Sequence, residues 1–204
     1  MKNILKKYSI IFDLDETLIH SVDINQWSKI HYSIKNKLEQ ENLLFEIDSE
    51  TIGIKRPHLD TFLTFISSNF GHVGVWSAGI KPYIENIVVN IFDKTPDFAW
   101  SRFDCDYKII YRYNENTFVK PLHQVWDGFI DGFTEENTFM IEDRIDTVLY
   151  NPHNLVKLTP YKPLKNKSLI TEDEELLKLI TFFKDIKTFT PVPLLKKPMF
   201  SIKK

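Results

Sequence analysis

The amino-acid sequence predicts an α/β protein built on a doubly wound parallel sheet with helices on both faces. Three observations lead there. Short apolar runs rich in β-branched and aromatic residues recur at residues 8–14, His72–Trp76 and Thr138–Ile141, as in strands covered on both sides. Between them lie stretches whose apolar residues repeat at helical spacing, and such alternation calls for crossover connections and parallel pairing. Polar residues follow directly on those runs, at Asp13, Ser77 and Glu142. An open parallel sheet gathers its site beyond those strand ends.

Taken in order, residues 8–14 read as a buried strand ending in acids. Residues 20–50 are polar and mixed, with a helix expected over Gln26–Gln40, and Thr51–Lys55 alternates like a short strand. Pro57 is expected to open a helix, where its missing N–H costs nothing. Leu59, Phe62, Leu63, Phe65 and Ile66 form the apolar face of that helix. Gly71 ends it, and the strand His72–Trp76 follows. Pro82 opens the next helix, with Tyr83, Ile84, Ile87, Val88, Ile91 and Phe92 inward. The stretch from Lys94 to Val119 reads as irregular and aromatic (Phe98, Trp100, Phe103, Tyr107, Tyr111, Tyr113, Phe118), and residues 121–131 as helical. Thr138–Ile141 is a strand, Ile145–Tyr150 a short helix and Leu155–Leu158 a further strand. Thr171 with Glu174 forms a capping box for a last helix over 172–186, with Leu176, Leu177, Ile180 and Phe183 inward. Residues 189–204 read as a basic, proline-containing tail.

Composition bounds the function. A length of 204 residues suits one domain with additions, expected over 1–188 with a core at about 8–160. The formal net charge of −2 supplies no basic field for generic nucleic-acid binding. Six glycines leave no Gly-rich phosphate loop. A single cysteine, Cys105, permits no intrachain disulfide and fits a reducing compartment. No apolar run reaches the ~18 residues of a membrane span. Asp13, Asp15 and Glu16 interrupt the first apolar run before a signal-peptide pattern is complete. The expectation is a cytoplasmic or nuclear protein with no membrane partner.

Four elements carry chemistry. Asp13 and Asp15, two apart at a strand end, crowd two carboxylates together, which raises a pKa or calls for a cation. Ser77 stands between a strand and a helix, where a hydroxyl and free N–H groups suit a phosphate oxygen. Lys120 could act as a point cation. Glu142 and Asp143 at another strand end offer the hard oxygen ligands that Mg²⁺ takes. Each alone has a plain structural reading: turn acids, an N-cap serine, a surface lysine, loop acids beside Arg144. Their joint order along strand and helix boundaries is far more specific. No His/Cys cluster has zinc spacing. Cys105 reads as inert, and His58 and His72 as capping or core residues.

The stretch Phe12-Asp13-Leu14-Asp15-Glu16-Thr17-Leu18-Ile19-His20-Ser21 resembles the haloacid dehalogenase (HAD) superfamily. Within it, the stretch resembles the small C-terminal-domain phosphatases of RNA polymerase II, also called NLI-interacting-factor-like. Lys55-Arg56-Pro57-His58-Leu59-Asp60-Thr61-Phe62-Leu63 matches the same subfamily, and Val119-Lys120 and Tyr150-Asn151-Pro152 are similar too. The resemblance covers roughly residues 8–160 and implies a HAD-like, Rossmannoid core. It implies no large cap domain, and the 34 positions from Ser21 to Ile54 are too few for one. It makes Asp13 the nucleophile and Asp15 the general acid and then base. Thr17, Ser77 and Lys120 hold phosphate. Asp13, the Asp15 carbonyl and Asp143 hold Mg²⁺, and Glu142 supports Lys120. Glu142 stands where the family usually has Asp, and Ser77 where Thr is common. The segment 94–119 matches poorly, and Arg102 falls near a substrate-side arginine of the family. The implied activity is Mg²⁺-dependent hydrolysis of phosphoserine and phosphothreonine in proteins, on RNA polymerase II C-terminal-domain-like peptides among others. It would be carried out by a monomer that binds a phosphorylated protein or peptide and no nucleic acid directly. The alternative is a phosphoprotein-binding scaffold of the same fold with little or no turnover.

Overall fold

The computed structural model describes residues 3–110, 115–128 and 130–198. The chain runs from β1 (Ser9–Phe12) into an insert of β2 (Ile19–Asp23), α1 (Ile24–Ser28), α2 (Tyr32–Gln40), β3 (Leu44–Asp48) and β4 (Thr51–Lys55). Next come α3 (Leu59–Asn69), β5 (His72–Trp76), α4 (Lys81–Ile91) and β6 (Phe98–Trp100). A hairpin of β7 (Asp106–Ile110) and β8 (Glu115–Val119) leads to α5 (His123–Trp126), β9 (Thr138–Glu142) and β10 (Leu155–Lys157). The helices α6 (Leu169–Glu172) and α7 (Glu175–Asp185) follow.

The main sheet has five parallel strands in the order β10-β9-β1-β5-β6. Its class is the doubly wound α/β sheet that the sequence predicts. Central β1 is buried along its whole length, so its residues need apolar surface on both faces. Ile10 and Phe12 pack with Val75, Phe139 and Ile141 beneath α3, α4 and α7. Ile11 points the other way, to Trp76, Met140 and a thinner cover built from Leu122 and Val125 of the α5 region, Phe133 and Val148. From β1 the winding goes outward to β5 and β6, then returns to β9 and β10 on the other side. That reversal opens a crevice at the carboxyl ends of β1, β5 and β9. The insert is a three-stranded antiparallel sheet, β2-β4-β3, with a small core of Val22, Ile34, Leu38, Leu43 and Ile54 closed by Tyr161 and Ile170. No helix among the described residues is long and apolar enough to cross a membrane.

Several local expectations are corrected. The helix expected over 26–40 is two, because Asp23 caps α1 through Asn25 and Gln26 while His31 caps α2 through Ser33. Pro57 does not begin α3: His58 turns left-handed (φ 66°) and Leu59 is the first helical residue. The helix ends at Asn69 with Phe70 as its extended cap, and Gly71 answers a close approach, since a Cβ there would lie 2.5 Å from the Lys6 carbonyl oxygen. The 94–119 stretch contains the edge strand β6 and the β7–β8 hairpin; three residues are too few to show a period, and Glu115-Asn116-Thr117 hides the second hairpin strand. Tyr111 and Tyr113 lie outside the described residues. Among the described residues of 121–131 only α5 is helical, and Gly128 (φ 92°) turns the chain away. Ile145–Tyr150 narrows to a 3₁₀ turn at Asp146–Val148.

The capping box at Thr171 and Glu174 is absent. Asp173 instead accepts the Glu175 N–H at 3.1 Å, held there by Arg56. The segment after α7 packs onto the body. Val192 is buried and its N–H bonds the Glu136 carbonyl at 2.7 Å, while the Tyr8 hydroxyl bonds the Thr190 carbonyl at 2.8 Å.

Candidate active site

The turn after β1 sets up the site. Leu14 and Leu18 are fully buried, and the N–H groups of Leu18 and Ile19 both reach the Leu14 carbonyl, at 2.9 and 3.1 Å. Between them Glu16 adopts a left-handed conformation (φ 63°), a strained choice for a non-glycine residue. Its carbonyl accepts the Tyr161 N–H at 2.7 Å and its own N–H bonds the Ile19 carbonyl at 2.7 Å, which holds the strain in place. Asp13 continues the ladder to the Ile141 carbonyl at 3.0 Å. Asp13 therefore reaches the crevice from the end of the strand ladder and Asp15 from the tight turn that follows it.

Lys120 enters from outside the sheet, at the end of β8, with its N–H on the Thr147 carbonyl at 2.6 Å. Its side chain is 1% exposed, and Nζ donates to Asp13 Oδ1 and to Glu142 Oε2, both at 2.6 Å. Glu142 Oε1 accepts the N–H groups of Asp143 (3.0 Å) and Arg144 (3.2 Å). The extra methylene of Glu142 thus still reaches the lysine while pinning the next two residues. The Thr17 hydroxyl accepts the Asp143 N–H at 3.1 Å and donates to the Asp143 carboxylate at 3.4 Å. Ser77 directly follows β5 with its N–H on the Trp100 carbonyl, and its Oγ accepts the Gly79 N–H at 3.1 Å.

All of these side chains but Thr17, which sits behind Asp143, line one open cleft of about 1020 Å³. Arg102 is on its wall, with Nε on the Ala78 carbonyl at 3.0 Å and its guanidinium 5.7 Å from the Phe118 ring centroid. Every candidate site residue of the sequence except Thr17 thus lines the same crevice, and Thr17 bonds Asp143 from behind it. Cys105 sits half-buried behind it, accepting the Trp76 indole N–H at 3.2 Å, with burial pushing its thiol up to about 11. His58 is exposed with no side-chain cap bond, and His72 faces Asp97 at the surface at 3.2 Å, so neither caps nor fills a core.

The electrostatics are crowded. Burial and the neighbouring Glu142 push Asp13 up to about 7 against the pull of Lys120. Burial, then the bond to Glu142, pushes Asp143 up to about 8. Burial would also raise Glu142, but the Lys120 ammonium and the amide contacts outweigh it and hold Glu142 low. Burial would lower Lys120, and Asp13 and Glu142 overcome that and hold it above the usual lysine range. Asp13, Glu142 and Asp143 each offer a carboxylate oxygen, all within 4.8 Å of one another. Hard oxygens with surplus negative charge in a buried pocket fit a small divalent cation such as Mg²⁺.

Two contacts lie beyond the sequence reading. The Tyr83 hydroxyl (2.5 Å) and the Ser21 hydroxyl (2.9 Å) both donate to Asp15 Oδ1, while burial raises the pKa of Asp15. Ser21 lies within the first quoted motif. Tyr83 is at an apolar helix position, and no spacing pattern reveals its hydroxyl.

The model of the family "NLI interacting factor-like phosphatase" matches residues 8–193. The human ubiquitin-like domain-containing CTD phosphatase 1 is 28% identical over 147 residues, which are 66% of this chain and 43% of that protein. The chain therefore spans less than half the length of that relative. The putative CTD phosphatase-like protein 355R of Invertebrate iridescent virus 6 is 28% identical over 184 residues, 84% of this chain and 94% of that protein. The solved structure of Fcp1, described as an essential RNA polymerase II CTD phosphatase, shares the fold with a TM-score of 0.63 at 18% identity, covering 93% of this chain and 69% of that one.

Proposed function

Because the chain belongs to the NLI interacting factor-like phosphatase family, we propose that it is a Mg²⁺-dependent phosphatase for phosphoserine and phosphothreonine in proteins, acting through an aspartyl-phosphate on peptides like the RNA polymerase II C-terminal domain. The observation that carries this reading is Lys120 Nζ at 2.6 Å from both Asp13 and Glu142 on the floor of an open cleft. One cation bridges the nucleophile and its supporting acid, where phosphate charge must be balanced.

In the first step an Asp13 carboxylate oxygen attacks phosphorus and the bond to the seryl oxygen breaks. Asp15 gives the departing oxygen its proton. Water then attacks the aspartyl-phosphate, passes a proton to Asp15, and Asp13 leaves as carboxylate. Ser77 holds a non-bridging oxygen, and Lys120 offsets charge that grows in the transition state. Thr17, expected to hold phosphate, instead fixes Asp143 from behind the cleft through its hydroxyl. Asp13, the Asp15 carbonyl and Asp143 would hold Mg²⁺, with Glu142 adjacent. When bound, the ion supplies positive charge against the phosphate and lets it approach three carboxylates.

The small insert leaves the cleft open to a peptide side chain. Its partner is a phosphorylated protein met by a monomer in cytoplasm or nucleus, without direct nucleic-acid contact. The scaffold alternative rests on Glu142, yet its contact to Lys120 is kept, which favours turnover. The purified protein is expected to hydrolyse an aryl phosphate with Mg²⁺ and not with excess chelator. Equal residual rates in wild type and Asp13→Asn at saturating Mg²⁺ would overturn the enzyme reading.

A further inference from the structure

We propose that Tyr83 is a positioning residue that dedicates one oxygen of Asp15 to proton transfer. The inference rests on the acid–base role of Asp15 proposed above. Tyr83 sits in the first turn of α4, and its hydroxyl donates to Asp15 Oδ1 at 2.5 Å. Ser21 of β2 donates to the same oxygen at 2.9 Å. Two donors from separate elements, one in the sheet body and one in the insert, thus converge on a single atom. A carboxylate oxygen has two lone pairs in its plane. With both engaged, Oδ1 has no place for a proton, and the proton of the neutral acid must sit on Oδ2. Among the described residues both donors to the Asp15 carboxylate go to Oδ1 and none reaches Oδ2, and the side chain lines the cleft.

The local sequence is shaped around this contact. A Cβ on Gly79 would lie 2.7 Å from Tyr83 Cδ1, so the glycine before α4 leaves room for the phenol ring. The α4 N-terminus therefore aims Tyr83 at Asp15 as well as covering the sheet with Ile84, Ile87, Val88 and Ile91. In the forward step the bond from phosphorus to the leaving oxygen breaks as the Oδ2 proton moves to that oxygen. In the second step Oδ2 takes a proton from the attacking water. Rotation of the carboxyl would place the wrong oxygen, or no proton, beside the leaving group.

The test compares leaving groups. An alkoxide from phosphoserine needs the proton, whereas p-nitrophenolate departs without it. kcat/KM reports the step that breaks this bond. Tyr83→Phe keeps the ring and removes the donor. Its kcat/KM on a phosphoserine peptide is expected to fall about tenfold more than on p-nitrophenyl phosphate, part of the ~10²–10⁴-fold that general acid catalysis supplies. Ser21→Ala should shift the same ratio in the same direction by a smaller factor. In an Asp15→Asn background Tyr83→Phe should no longer change the ratio, because both act through one group. An equal fall on both substrates, no fall on either, or a full further change in the Asp15→Asn background each overturns the inference. Asp13→Asn separates the outcomes: if it leaves turnover of both substrates intact, the enzyme reading itself has failed.

Discussion

Two buried charge clusters lie on either side of the Thr17 backbone, and they are built to opposite ends. In the first, Arg56 is 1% exposed and all three of its guanidinium nitrogens donate. Nε and Nη2 hold Asp173, Nη2 also meets Glu175 at 3.0 Å and the Thr159 carbonyl at 3.0 Å, and Nη1 takes the Thr17 carbonyl at 3.0 Å. Its acids are satisfied in turn by the N–H groups of Glu175 and Thr159, and Tyr161 lies against the guanidinium at 5.5 Å. In the second, Lys120 lies with Asp13, Glu142 and Asp143 on the floor of a cleft, and two of the three acids are raised to about 7 and 8. A closed network positions backbone; an over-acidic one keeps its charge for a ligand. Geometry and access, not the presence of a buried ion pair, separate scaffold from site.

The sharpest way to break the contrast is Asp13→Asn. Turnover should fall by ~10⁴-fold or more, the scale on which nucleophile removal acts. The melting temperature of the metal-free protein at pH 8 should rise, because one of three crowded acids is gone. A fall in melting temperature would place Asp13 with the structural acids.

Arg56→Met should do the reverse, costing about 3–5 kcal/mol of stability by stranding buried Asp173 and Glu175. Urea unfolding measures it, and a cost below ~1 kcal/mol would show that the network is not a clamp.

A third effect is a pH slope. Asp13 and Asp143 have folded pKa values above their ordinary ones, so the folded state binds their protons more tightly than the unfolded chain. Their contribution to stability is full below the ordinary carboxylate pKa near 4 and is lost as pH rises towards about 7 and 8. The metal-free melting temperature should therefore decline from pH 5 to pH 8.5, and Mg²⁺ should restore it at the upper end. A flat profile in Asp13→Asn/Asp143→Asn would assign the slope to this cluster. A slope unchanged in that variant would remove the crowding argument.

The smallest effect is expected for Glu142→Asp, about 3–10-fold in kcat, since one methylene less cannot hold both Lys120 and the Asp143 and Arg144 amides. Unchanged kcat would show that one of those contacts is dispensable.

Much of this was legible in the chain. Ile10-Ile11-Phe12 needs cover on both faces, so β1 could be read as a buried strand from the sequence, while its central place came from the structure. Asp13, Asp15 and Thr17 sit within five residues of that strand, where local chemistry and the motif coincide. Lys120 was legible only through its order among the other elements, since a lone lysine says nothing. β6 and the β7–β8 hairpin escaped because three-residue and polar strands carry no period, and their existence depends on the partners that pair with them. The capping box at Thr171 failed because Arg56, 117 residues from Asp173, reorganised the start of α7.

By itself, then, the sequence determined the sheet class, the apolar helix faces and which polar residues to look for at the strand ends, because periodicity and motif are written within a few neighbouring residues. The tertiary structure alone decided that Lys120 closes on Asp13 and Glu142, that Asp143 rises in pKa, that Arg56 binds α7 to the Thr17 loop, and that Tyr83 and Ser21 converge on Asp15. Those outcomes join residues as far as 107 and 119 positions apart. Such contacts form only where burial of the whole core repays the cost of closing the chain and of drying the charges.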